Sequence, residues 1–279
     1  MAKKSTTPKT STKIKKSTSA KKTAKTRQSV KKADQYDSGD YNYLHYWEGR
    51  DYEHGSEEIA MRRLLAGRTF EHAVDIGGGY GRLCVFLQRY AKQVTLGEPS
   101  KKQLEIAEDY LRDHPDIDRK LIQADDLPFR TNSVDLITMI RVMHHLPDPS
   151  KEFDEIARVL KKDGYLILEM ANYVHMRNRM KHLLRREPLP TKPVDIRSPE
   201  NQRDDEVAFV NHNPKTVIKQ LAHAGLKVEK TLSVSNLRSP GLKKVVPVSV
   251  MLAGERLMQP MFSAMHFGPS IFFLVRRVK

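Results

Sequence analysis

Between residues 56 and 172 the apolar positions change rhythm several times, and each change marks an element. Ser56 precedes Glu57 and Glu58, after which Ile59, Met61, Leu64 and Leu65 recur at helical spacing up to Gly67. This predicts a helix capped at Ser56 with acids at its positive end. A strand is predicted at about 72–76, followed by a glycine-rich loop and a helical pattern through Leu83, Val85, Phe86 and Leu87. Gln93 to Leu96 reads as a second strand ending at Gly97-Glu98-Pro99-Ser100, where Ser100 caps a helix carrying Leu104, Ile106, Ala107 and Leu111. Leu121-Ile122 is a short strand and Val134 to Ile140 a stronger one. The turn Pro147-Asp148-Pro149-Ser150 leads into a helix through Phe153, Ile156, Ala157 and Leu160; Gly164 breaks it, and Tyr165 to Met170 is a fifth strand. Strands alternating with helices imply a parallel sheet covered on both faces, with right-handed crossovers.

The rhythm is lost beyond about residue 172. Residues 176–206 are highly charged and hold Pro188, Pro190, Pro193 and Pro199, which predicts an irregular insertion. Asn213-Pro214 reads as an N-cap with proline at the first helical position, and the helix through Val217, Ile218 and Leu221 ends at Gly225. Leu226 to Val234 and Ser270 to Val275 are closing strands. Met251, Met258, Met261 and Met265, near Phe262, Phe267, Phe272 and Phe273, either line an adaptable apolar pocket or belong to the core.

Charge changes the picture at one end. Residues 1–33 hold twelve lysines and arginines and no acid. Removing those 12 from the net +15 leaves +3 for the rest. This Lys/Ser/Thr/Ala/Pro segment has too little apolar surface to offset its ordering entropy, so residues 1–36 are predicted to be a disordered tail. The tail is either a weak electrostatic tether, to nucleic acid or an anionic membrane, or a solubilising extension. It has no apolar core of a secretory signal, and Leu257 to Val275, broken by Pro260, His266 and Pro269, is a poor membrane span. The single cysteine, Cys84, excludes an intramolecular disulfide and a multi-cysteine metal site; no metal is expected, and a reducing cytoplasm suits the chain.

The chemistry centres on Val74-Asp75-Ile76-Gly77-Gly78-Gly79-Tyr80-Gly81-Arg82. Alternating glycines at the end of a strand let bare backbone approach a nucleotide-like cofactor. A dinucleotide loop would read G-x-G-x-x-G; here the third glycine, Gly81, comes one residue early, and Asp75 stands where it would repel a pyrophosphate. That spacing resembles motif I of class I S-adenosylmethionine (SAM)-dependent methyltransferases. Further segments match in order: Glu98 at the end of the second strand, Gln123-Ala124-Asp125-Asp126-Leu127-Pro128-Phe129, Asn132-Ser133-Val134-Asp135, His144-His145-Leu146-Pro147-Asp148-Pro149, and Arg158 to Gly164. Together, over about 72–172, they most resemble the methyltransferase type 11 family.

The resemblance implies a Rossmann-like, doubly wound, mostly parallel seven-stranded sheet with an antiparallel closing strand. The methyltransferase core would span about 56–172, with a C-terminal cap at about 173–279, inside a domain of 37–279. It implies S-adenosylmethionine held by Asp75, Gly77, Gly79 and Gly81, with Glu98 on the ribose hydroxyls and Gln123, Ala124 and Asp125 flanking the adenine. The family usually carries Asp where Gln123 stands. The segment Tyr46 to Glu53 would lid the cofactor, with Arg50 gripping the methionyl carboxylate and Trp47 or Tyr52 facing the sulfonium. His145, His144 and Tyr80 are the candidate bases, needed only if the acceptor must lose a proton. Arg141 falls near the pocket mouth. A small-molecule acceptor is the first expectation. RNA methylation aided by the tail is the alternative, and a non-catalytic nucleic-acid-binding protein is the reading of a different class.

Overall fold

The structure is a computed structural model and describes residues 43–203 and 208–278, together with Met1. The expected disordered tail, 1–36, lies outside the described residues but for Met1.

Among the described residues nine strands occur in chain order: β1 (Phe70–Ile76), β2 (Ala91–Glu98), β3 (Ile117–Leu121), β4 (Val134–Met139), β5 (Leu160–Ala171), β6 (Val194–Asp195), β7 (Val210–Asn211), β8 (Leu226–Val234) and β9 (Ser270–Arg277). Seven form one sheet in the order β3-β2-β1-β4-β5-β9-β8. All neighbours are parallel except at β9, which runs antiparallel to both β5 and β8. The expected doubly wound sheet with an antiparallel closing strand is therefore present. Strand order reverses between β1 and β4, and the crevice beyond their carboxyl ends is where open α/β sheets bind ligands.

The helices are α1 (Tyr43–Trp47), α2 (Asp51–Leu65), α3 (Cys84–Leu87), α4 (Lys101–Tyr110), α5 (Ser150–Val159), α6 (Met176–Arg185), α7 (Pro199–Arg203), α8 (Pro214–His223), α9 (Pro240–Val245) and α10 (Val248–Met261). Because successive strand side chains face opposite ways, the sheet has a separate core on each face. Ala73, Leu96, Leu136, Ile167 and Phe272 join the core that includes α2, α3 and α4 residues. Val74, Ile137, Leu168 and Phe273 join the one under α5 and α8.

Caps legible in the sequence hold. The Ser100 hydroxyl accepts the Gln103 amide at 3.1 Å, and Asn213 caps α8 with Pro214 at its first position. Other expectations are corrected. Helix α2 starts at Asp51, not at Ser56, which is buried in mid-helix; Asp51 and Glu53 supply the first-turn acids. Gly164 does not separate helix from strand. It lies inside β5, which already begins at Leu160, and a Cβ there would meet the Lys161 carbonyl oxygen at 2.8 Å. The region 176–206 is not wholly irregular, since it contains α6 and α7. The Met/Phe stripe is neither one pocket nor one core: Met251, Phe272 and Phe273 are buried, while Met261 and Met265 are exposed.

Candidate cofactor and acceptor site

The period-2 rule that builds the two cores also assembles the site. Asp75, Glu98, Thr138 and Glu169 follow Ala73, Leu96, Leu136 and Ile167 by two residues, so all four extend from the α2/α3/α4 face at the carboxyl ends of their strands. Three acids and a hydroxyl are thus strung along the carboxyl ends of β2, β1, β4 and β5, on both sides of the strand-order reversal.

Asp75 is buried; it accepts the Thr138 hydroxyl at 2.6 Å and the Cys84 thiol at 3.8 Å. Burial pushes its carboxyl up to about 6, and the Thr138 hydroxyl and the Arg82 charge hold it from going higher. Beyond it the loop turns through left-handed backbone at Gly77, Gly79 and Gly81, with φ of 65°, 58° and 88°. At Gly78 a Cβ would approach Asp75 Oδ2 to 2.6 Å, so bare backbone is required there.

Glu98 is buried at the end of β2 and ties the loop to its own strand end. Oε2 accepts the Gly79 amide at 2.8 Å and Oε1 the Ser100 amide at 3.0 Å. A carboxylate oxygen can accept more than one hydrogen bond. Gln123 and Ala124 are half-buried in the turn after β3, where the Gln123 carbonyl accepts the Asp126 amide at 3.2 Å; Asp125 is exposed at its tip. A diol acceptor, a bare loop and a half-buried edge fit a ribose and a flat base.

A cluster that the sequence did not disclose covers this crevice. Glu57 of α2 is buried and bonds Arg141 Nε through one oxygen and Arg82 through the other, both at 2.6 Å. Burial pushes the Glu57 carboxyl up, but Arg141 and Arg82 outweigh it and hold it below the usual range. Arg82 also meets the His54 ring and lies over the Trp47 ring at 3.6 Å, with Arg141 over the same ring at 4.6 Å. The aromatic segment is thus held in place by cations. Arg50 stands at the start of α2, stacked on Tyr46 at 3.9 Å.

Next to this segment lies a cavity of about 270 Å³, whose lining includes Tyr46, Arg141, His144, Glu169, Phe209 and Arg238. His144 lies against the rings of His145 and Phe209, with centroids 4.0 and 4.4 Å away. Burial, then the neighbouring His145 and Arg141, keeps its imidazole neutral far below the ordinary histidine range. His145 instead points Nδ1 at the Ala208 carbonyl, 3.2 Å away. Glu169 accepts the Arg141 amide and the Ser270 hydroxyl, and burial raises its carboxyl. Tyr80 is buried edge-on against Tyr110 and lines neither this cavity nor the larger one beside it. That neighbour, about 930 Å³, shares His175, Ser235, Arg238 and Pro269 with it and also takes in Arg50 and Phe267.

A family model described as a methyltransferase domain, type 11, matches residues 74–168, which run from β1 into β5. The chain is 31% identical over 115 residues to the uncharacterized methyltransferase YcgJ of Bacillus subtilis, covering 40% of this chain and 46% of that protein. It is 29% identical to the ubiquinone/menaquinone biosynthesis C-methyltransferase UbiE of Rubrivivax gelatinosus, over 39% of this chain and 43% of that one. The matches thus span less than half of these relatives. Among solved structures, a SAM-dependent methyltransferase from Mesorhizobium loti superposes with a TM-score of 0.55 at 18% identity, covering 80% of this chain and 98% of that one. Residues 74–168 are a methyltransferase domain of the type 11 family, on a fold shared with enzymes whose cofactor is S-adenosylmethionine.

Proposed function

We propose that the protein transfers a methyl group from S-adenosylmethionine to a small molecule held in the cavity beside the lid. One observation carries the reading: the buried Glu98 carboxylate, fixed by the Gly79 amide, ends the strand on one side of β1, and beyond the β1/β4 reversal lies a cavity lined by Arg141 and a neutral His144. S-adenosylmethionine, when bound, supplies an electrophilic methyl on a sulfonium sulfur. The residues supply everything else. Glu98 accepts from both ribose hydroxyls, and the glycine loop brings its backbone against the cofactor. Gln123 and Ala124 border the base, and Asp75 faces the methionyl ammonium.

Trp47, with Arg82 and Arg141 over its ring, excludes water from the crevice. His144 takes the acceptor's proton. Its low basicity suits an acceptor that becomes acidic only as the new bond forms. The quinone-pathway relative supports a small-molecule acceptor.

Titration calorimetry with S-adenosylmethionine tests the cofactor assignment. Wild type binds, and Glu98→Ala binds at least about tenfold more weakly, the loss of one charge-assisted hydrogen-bond site of about 1.5 kcal/mol or more. Unchanged affinity removes Glu98 from the site. Transfer of labelled methyl into fractionated cell extract then tests the acceptor. Label in the small-molecule fraction supports the proposal, and label mainly in RNA replaces it with RNA methylation.

A further inference from the structure

Helix α6 is amphipathic in the inverted sense. Its inner side is polar: Asn178 donates to the Tyr173 carbonyl at 2.7 Å, Arg179 Nε to the Val174 carbonyl at 2.5 Å, and His182 meets the Tyr173 hydroxyl at 3.4 Å. Apart from Met176 its apolar residues face out, with Met180 47%, Leu183 69% and Leu184 79% exposed. At helical spacing these three form one stripe. On one flank of the stripe Arg177, Lys181 and Arg185 recur every fourth residue, and Arg186 stands on the other; 176–186 contains no acid. The first acid, Glu187, follows the helix and lies 3.8 Å from His182. Leu189 and Ile196, farther along the same excursion, are also exposed.

We propose that this face of α6 docks on an anionic lipid surface. An apolar stripe flanked by long cationic side chains is the pattern of an interfacial helix, in which the stripe enters the acyl boundary and the cations reach phosphate headgroups. A protein partner fits less well. A stable protein interface buries about 800 Å² on each side with shaped complementarity, which three side chains on one turn-and-a-half of helix do not provide. A bilayer needs no matching shape. The twelve cations of residues 1–33 supply the second, purely electrostatic attraction that a single short apolar anchor requires. Met176 and Arg177 begin α6 and also line the 930 Å³ cavity. Docking therefore sets that opening beside the lipid headgroups.

Co-sedimentation of the full chain with phosphatidylcholine vesicles, with and without phosphatidylglycerol, tests this. Wild type pellets with the phosphatidylglycerol vesicles and stays in solution with pure phosphatidylcholine. Leu183→Ser/Leu184→Ser keeps every charge, including the tail's, and binds at least about tenfold more weakly. Lys181→Gln/Arg185→Gln weakens binding in the same assay and guards against a folding defect in the first variant. Equal binding by wild type and the serine variant overturns the proposal, because the tail alone then accounts for it. So does equal binding to both vesicle types, or none to either. A wild-type dimer that the serine variant turns into a monomer, without vesicle binding, reassigns the face to self-association.

Discussion

At the residue scale, Asp75 carries opposite consequences for stability and for binding. Burial pushes its carboxyl up to about 6 in the folded chain from an ordinary 3.8. Between those values the folded state holds a proton that the unfolded state releases. Stability therefore falls as pH rises through the window, by about 3 kcal/mol for a shift of about two units. Asp75→Asn, which keeps an oxygen for the Thr138 hydroxyl, removes this dependence. Urea unfolding at pH 4 and pH 7 measures it: the variant gains on wild type toward pH 7, and a constant difference between them contradicts the burial argument. Affinity for S-adenosylmethionine moves the other way, rising through about pH 6 as Asp75 ionises to meet an ammonium, and Asp75→Asn flattens that rise. The sequence showed an acid before the loop. It did not show that the acid is buried, because Thr138, whose hydroxyl holds the carboxylate, lies 63 residues away.

At the element scale, α2 was legible as a helix but not in its start or in what its buried acid meets. Through Glu57 it joins the residue after the glycine loop, Arg82, to the residues after β4, Arg141. Glu57 had been legible only as a cap-side acid, since helical spacing reveals which face is apolar but not which distant cations a buried acid meets. Truncating one member of a buried ion cluster leaves the others uncompensated, so Glu57→Ala costs about 3 kcal/mol or more. Chemical denaturation checks this, and a loss under about 1 kcal/mol means that solvent already shares the charges. The same helix joins the C-terminal cap. The Tyr52 hydroxyl donates to Glu255 Oε2 of α10 at 2.8 Å and accepts the Leu237 amide at 2.9 Å. Burial, and then the Glu255 charge, push the tyrosine up, so it stays protonated and remains a donor. Tyr52→Phe leaves a buried carboxylate and an amide short of a partner, a cost of about 1–3 kcal/mol. A thermal midpoint equal to wild type contradicts that assignment.

At the scale of the whole molecule, legibility follows sequence distance. Most of the run 70–171 could be read because its strands and helices carry their own periodicity and local caps such as Ser100, and the cofactor loop adjacent glycines; β3, exposed after Ile117, carries none and lies largely before the expected Leu121-Ile122. The acceptor side could not, because its cavity draws on β4, β5, the β7 region and the segment after β8, which no local pattern connects. The cofactor residues named from sequence, apart from Arg50, lie between 75 and 125, whereas the tail's charge lies entirely before residue 34. Cofactor binding and tail electrostatics are therefore separable. Deleting residues 1–33 leaves S-adenosylmethionine affinity unchanged and lowers any affinity for an RNA homopolymer. It also flattens the slope of log affinity against log salt, since fewer phosphate contacts release fewer counterions. Calorimetry for the cofactor and a salt series by fluorescence anisotropy for the RNA separate the two. If the deletion abolishes cofactor binding, the tail is part of the site; if the salt slope is unchanged, any RNA contact comes from the folded cations, with α6 the most cation-rich helix among the described residues.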